Sequence, residues 1–276
     1  MARSADEIVE RAEVLILQQR FDLAEPILRE ALAVEPRDYR ALAMLAQALL
    51  FLRQFDDAHE TVRAAIAAEP NDFYGHEIHS RILWQLDDAE GSLAAAQAAI
   101  ACDRVYARCY GIAARAAEHL GRLSEAAEFI AAGLAMDPHD QATLAAGAST
   151  LFAQGRHEEA EELARRLVAV APLSAHALYT CGRILLLIGK AGDAADVLAE
   201  ALRCDARSEF AHYWMGCALA AQGKTDGARR HLREALAIRP GMVVASEKLA
   251  EMEAANGGEG GGTLWSRIVR RLFRRS

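Results

Sequence analysis

Histidine and cysteine are the residues here with the widest chemical repertoire, nine of one and five of the other in 276. His76 and His79 stand three apart, a spacing that puts two imidazoles on one side of a helical turn and would let them chelate a divalent cation. Both positions also belong to columns that recur along the chain as packing positions, and His212 repeats the first of them, so packing is the expected role. The cysteines at 102, 109, 181, 204 and 217 form no CxxC pair and are odd in number, which argues against a disulfide framework or a zinc site. Reduced, buried thiols are expected instead. No HExxH, P-loop, GxSxG or dinucleotide fingerprint occurs. Catalysis is therefore not expected, and the sequence calls for neither cofactor nor metal.

The elements that hold these residues follow from a period of 34 residues. Prolines at 36, 70, 138, 172 and 240 are separated by one or two such periods, and Arg104 and Ala206 occupy the two phases between them. Seven units fit without insertion: 5–38, 39–72, 73–106, 107–140, 141–174, 175–208 and 209–242. Column eight is small throughout: Ala12, Ala46, Ser80, Ala114, Ala148, Gly182, Gly216. Column twenty is also small, with Ala24, Ala58, Ser92, Ala126, Ala160, Ala194 and Ala228. Small residues at fixed places let two helices approach closely. Gly121, Gly155, Gly189 and Gly223 recur in column fifteen, where a first helix must stop and the chain must turn. Alanine richness with only 6% aromatics favours helix, and 53% hydrophobic residues supply an ordered core.

The proline phase and these columns resemble the tetratricopeptide repeat family over residues 5–240. The resemblance implies an all-α fold, a right-handed α-solenoid of seven 34-residue helical hairpins. Residues 242–255 are expected to form a C-terminal capping helix over the last hairpin. The third unit departs most, with Ser80 and Ser92 in the small columns and no proline at its end, so local irregularity is expected there. The resemblance also implies a protein-binding scaffold with a concave groove lined by columns two, five, nine and twelve of the first helices.

Those columns hold an unusual set of residues for so acidic a chain. Arg40, Gln47, Tyr74, Arg81, Trp84, Arg108 and Arg115 fall in units two to four, and Tyr179, Arg183, Phe210 and Tyr213 in units six and seven. Arginine and aromatics are the side chains that dominate protein interfaces. A peptide or protein is the expected partner, with an acidic or carboxylate-bearing segment favoured. The ninth column has no asparagine, so the carboxylate clamp of the co-chaperone branch of the family is not expected. Nucleic acid is disfavoured as a partner, because residues 1–262 carry 26 basic against 39 acidic side chains.

The end of the sequence reverses that charge. Residues 256–262 read as a glycine-rich linker, and 263–276 as a basic amphipathic segment. Leu264, Trp265, Ile268, Val269, Leu272 and Phe273 fall within about half a turn of a helical wheel, with Arg267, Arg270, Arg271 and Arg274 on the other half. Twelve helical residues span only about 18 Å, too short to cross a bilayer. In-plane contact with an anionic membrane surface, docking on a partner or on the acidic solenoid itself, and an inert tail are the readings that remain. The expected location is cytoplasmic, with peripheral attachment at the inner face of the membrane left open by this segment. A membrane-associated assembly or secretion factor is the alternative to a simple scaffold. Alanine and arginine richness suggests a GC-rich bacterial genome.

Overall fold

A computed structural model describes residues 5–102 and 106–256. Fifteen helices and no strand occur among them. They are α1 (Ala5–Leu17), α2 (Phe21–Val34), α3 (Tyr39–Phe51), α4 (Phe55–Ala68), α5 (Phe73–Gln85), α6 (Ala89–Ile100), α7 (Ala107–His119), α8 (Leu123–Met136), α9 (Gln141–Ala153), α10 (His157–Val170), α11 (Ala175–Leu187), α12 (Ala191–Cys204), α13 (Glu209–Ala221), α14 (Thr225–Ile238) and α15 (Val243–Asn256). Each odd–even pair from α1 to α14 is one hairpin, so the seven expected units are present. The chain forms two compact units, Met1–Asp137 with α1–α8 and Pro138–Ser276 with α9–α15.

One backbone feature makes every hairpin. Residues in column fifteen all have positive φ: Gln19 (57°), Arg53 (63°), Asp87 (63°), Gly121 (74°), Gly155 (77°), Gly189 (89°) and Gly223 (75°). The left-handed turn lets the next amide reach back to a carbonyl five residues earlier, as Arg20 N does to Leu15 O at 2.8 Å and Lys190 N to Leu185 O at 2.8 Å. Glycine adopts this conformation without a Cβ penalty, whereas Gln19, Arg53 and Asp87 adopt it at a cost. The opposite joint, from one unit to the next, is fixed by side-chain caps. Asp38 accepts from Ala41 N, Asp72 from Tyr74 N, Asp140 from Thr143 N, Ser174 from Ala177 N and Ser208 from Ala211 N. At the same phase Tyr106 makes no side-chain cap.

The small columns do the work expected of them. Ala12, Ala46, Ser80, Ala114 and Ala148 in column eight are all fully buried, as are Ala24, Ala58, Ser92, Ala126, Ala160, Ala194 and Ala228 in column twenty. A Cβ at Gly182 would stand 2.6 Å from Leu198 Cγ, and one at Gly216 2.8 Å from Leu232 Cγ. The second helix of each of those hairpins therefore rests directly on the backbone of the first. Where the third unit substitutes serine, the polar groups satisfy each other: Ser80 Oγ donates to Ser92 O at 2.7 Å and lies 3.0 Å from Ser92 Oγ. The irregularity expected of this unit is visible in α6, which has 12 residues where the other second helices have 14.

The capping helix, expected over 242–255, spans Val243–Asn256, packs against α14 and buries Ala245, Lys248 and Met252. Arg229 ties the two by donating to Met252 O at 3.1 Å, and Arg233 pairs with Glu253 at 3.3 Å. Three thiols, Cys109, Cys181 and Cys217, are buried, Cys102 is half-buried and Cys204 exposed. Burial pushes both Cys181 and Cys217 up to about 11, which leaves them protonated and unreactive at neutral pH. Among the described residues no helix is long and apolar enough to cross a membrane.

Candidate functional site

In the first compact unit, the first helices α3, α5 and α7 bring the arginines and aromatics of the middle hairpins onto one face. Its centre is Glu77, a carboxylate only 3% exposed. Arg108 Nε lies 2.6 Å from Glu77 Oε2 and Arg81 3.8 Å from Oε1. The two guanidinium side chains are 45% and 30% exposed, so they reach from the buried acid to solvent. Tyr74 stands beside them and donates its hydroxyl to Gln47 Oε1 at 2.8 Å. Burial, with the Glu77 charge as the next cause, pushes the Tyr74 phenol up to about 12, so it acts only as a neutral donor.

Aromatic rings carry the flanking arginines. Arg81 lies over Phe51 at 5.3 Å, and Phe51 in turn stacks on Phe21 at 4.3 Å with a 2° interplanar angle. Arg115 lies over Trp84 at 4.5 Å, and the edge of the same pair is closed by His119 at 5.2 Å. A ring beneath a guanidinium fixes its plane and lowers the entropy lost when it binds a carboxylate. Arg40 sits apart from this cluster and pairs with Glu13 at 3.0 Å.

The second compact unit has its own, less charged face. Tyr179 stacks with Phe210 at 5.6 Å, and His176 Nδ1 lies 2.7 Å from the Tyr179 hydroxyl. Arg239 approaches the Phe210 ring at 5.8 Å, and Arg183 donates to the Ser149 hydroxyl.

The lining stripe is narrower than the sequence pattern implied. Columns two and nine keep exposure at Arg40, Tyr74, Arg108, Arg81, Arg115 and Arg183. Columns five and twelve are largely closed: Val9 is 1% exposed, Ala43 1%, Leu50 8%, Phe152 7% and Leu186 1%. Neighbouring first helices stand side by side on this face and shield the flanks of each stripe. Tyr213, expected to line the groove, is 6% exposed and packs beside Cys217, Lys248 and Glu251 under α15, so it is a core residue. Glu77 is the residue that sequence reasoning undervalued. It pairs with Arg81 one turn away, as the i, i+4 spacing allows, but its closer partner Arg108 is 31 residues distant.

His76 and His79 do not converge on a common point. His76 Nε2 lies 2.8 Å from Pro70 O, and His79 stacks on His59 at 5.1 Å. No group of three or more metal-ligating side chains occurs among the described residues. Residues 257–276, with Leu264, Trp265, Arg267, Ile268, Val269, Arg270, Arg271, Leu272, Phe273 and Arg274, lie outside the described residues.

The tetratricopeptide repeat family matches this sequence at residues 15–82, 79–141, 146–209 and 209–242, so the chain belongs to that family. None of the curated proteins compared matches it. Solved structures share the fold at low identity. A tetratricopeptide repeat protein from Parabacteroides merdae is 15% identical, with a TM-score of 0.71, 91% of this chain covered and all of that one. The Cut9-Hcn1 hetero-tetramer of the APC/C is 15% identical with a TM-score of 0.69, over 90% of this chain and 48% of the other. Human IFIT1, solved as a dimer with PPP-AAAA, is 16% identical with a TM-score of 0.74, over 90% of this chain and 62% of that one. The chain thus spans about half the length of the first of the larger proteins and under two thirds of the second.

Proposed function

We propose that this chain is a protein-binding scaffold whose first compact unit holds an acidic or carboxylate-bearing peptide against Arg81, Arg108 and Arg115. One observation carries the reading: two part-exposed guanidiniums share a single carboxylate that is itself buried. Glu77 holds both arginines in place without satisfying all their donors, and a planar fork so fixed is suited to an incoming carboxylate. Trp84 and Tyr74 add rigid apolar area beside the charge, the usual make-up of an interface hot spot. The Cut9-Hcn1 structure is a hetero-tetramer, which fits a scaffold role. IFIT1 was solved with PPP-AAAA, but a polyanion would meet a body with a large acidic excess here.

The test is capture of partners from the native cell by the wild-type chain and by a chain with Arg81→Glu and Arg115→Glu. The variant should keep its helical circular dichroism and lose its main captured proteins at least tenfold. Capture of the same proteins by wild type should also weaken as salt rises. Equal capture by the folded variant rejects the site.

A further inference from the structure

The 34-residue frame does not stop at the seventh hairpin. Val243, the first residue of α15, falls in column one, Ala250 in column eight and Gly257 in column fifteen, the column of Gly121, Gly155, Gly189 and Gly223. The structure places α15 as a first helix would be placed. Ala245 in column three is fully buried and Met252 in column ten is 9% exposed, the columns by which Ala211 and Ala218 of α13 are also buried.

Its other side differs from every earlier first helix. Column eight is buried in all seven hairpins, under the second helix of the same hairpin, as the approach of Leu198 to Gly182 and of Leu232 to Gly216 shows. Ala250 is exposed. Around it Val243 is 58% and Val244 41% exposed, and Glu247, Glu253 and Ala254 are exposed as well. A helix carrying this face has its apolar residues in water and a pair of acids beside them.

We infer that α15 is the first helix of an eighth hairpin and that residues 264–275 of this chain dock on its Val243–Ala250 face as the second. The occupant is identified by complementarity. Residues 263–276 contain five arginines and no acid, against Glu247 on the face and Glu253 at its edge, which also pairs with Arg233. Leu264, Trp265, Ile268, Val269 and Leu272 supply an apolar stripe at helical spacing, and a helix with one such stripe needs a surface to cover it. Reach is sufficient. Residues 257–263 connect the two, against three residues between α13 and α14, and helix–helix connections of about two to eight residues are ordinary in helical arrays. Covering α15 would do for column eight at Ala250 what the second helix does for it in each earlier hairpin, as Leu198 on Gly182 and Leu232 on Gly216 show.

The fit is not that of a repeat copied unchanged. Column twenty-four, filled by Leu198 and Leu232 in the last two hairpins, falls on Ser266, and column twenty-eight, Leu236 in the seventh hairpin, falls on Arg270. The seven-residue connection, against three in the seventh hairpin, does not hold the segment to the 34-residue register.

Amide hydrogen exchange on the full-length chain tests this. Peptides from α15 should exchange about tenfold faster in an Ile268→Asp, Val269→Asp chain than in wild type. A Glu247→Lys chain should show part of the same loss. Adding Arg270→Glu and Arg271→Glu should restore protection to the Glu247→Lys chain, an outcome that general damage cannot produce. Circular dichroism serves to confirm that each variant is folded. Unchanged α15 exchange in the Ile268→Asp, Val269→Asp chain overturns the inference. So does protection that grows with protein concentration, which would make a second copy the occupant. Binding of the wild-type chain to phosphatidylserine vesicles with no loss of α15 protection would likewise overturn it, since the segment would then be engaged elsewhere.

Discussion

Glutamine in place of Glu77 separates what holds the arginine face together from what the proposed site would bind. The substitution keeps the shape of the side chain and removes one charge from a site 3% exposed. Arg108 loses a charged contact at 2.6 Å and Arg81 a weaker one at 3.8 Å. Charge-assisted hydrogen bonds contribute about 1.5–3 kcal/mol. Both guanidiniums already reach solvent and can rehydrate, which places the loss near the lower end, about 1.5 kcal/mol. The effect on an acidic ligand has the opposite sign. A ligand carboxylate seated on the two arginines would lie roughly 6 Å from the Glu77 carboxylate. Two like charges at that distance, with an effective dielectric of about 40 at a half-exposed site, repel by ~1.4 kcal/mol, a factor of about ten in affinity. Glu77→Gln should therefore destabilise α5 and α7 in urea titrations followed by hydrogen exchange, while captured acidic partners bind up to tenfold more tightly. Loss of binding in parallel with loss of stability would refute the reasoning, since Glu77 would then be part of the recognition itself. Unchanged stability would refute the ion-pair geometry.

Two further outcomes concern the scaffold. Arg53→Gly should raise the stability of the second hairpin by about 0.5–1 kcal/mol in thermal or urea unfolding, because Arg53 sits at φ 63° where glycine carries no Cβ penalty. Burial first, then the neighbouring His59, His76 and Arg63, lowers the His79 imidazole from 6.5 to about 4, against a weaker opposing pull from Asp88. The unfolded chain then takes up the proton before the folded one does. The resulting stability is complete above about pH 6.5 and is lost as pH falls towards about 4, by roughly 2 kcal/mol after allowance for partial exposure. His79→Phe should flatten that segment of a stability–pH curve, and a curve of unchanged slope would count against the shift.

The period, the hairpin boundaries and the small columns were legible in the sequence because each is a local requirement that recurs. Ala46 and Ala114 must be small for the same reason, and a column of seven such residues cannot be missed. The caps at Asp38, Asp72, Asp140, Ser174 and Ser208 stand one residue before their units and, at Asp38, Asp72, Asp140 and Ser174, two residues after the recurring proline, so they are local and legible too. The site was harder to read. A helical wheel places columns two, five, nine and twelve on one face, but it has no neighbour in it. The flanking first helix is what closes columns five and twelve, turning Tyr213 into core and Glu77 into a buried counter-ion. Glu77 and Arg81 look like a solvated pair on a wheel. Only packing reveals that Arg108, one repeat later, is the nearer partner.

The side-chain caps between hairpins have a mechanical consequence. In a chain drawn out from its ends, tension passes through every joint in series, and the first to yield sets the force at which the spring begins to lengthen. The joints before α3, α5, α9, α11 and α13 are each latched by an aspartate or serine. Removing one of these latches, as Asp72→Ala would, should let extension of the first compact unit begin at that joint, beside the arginines of the proposed site. A partner that bridges Arg81 on α5 and Arg108 on α7 would act as a clasp across the following joint, so that loading the scaffold raises the force needed to stretch it.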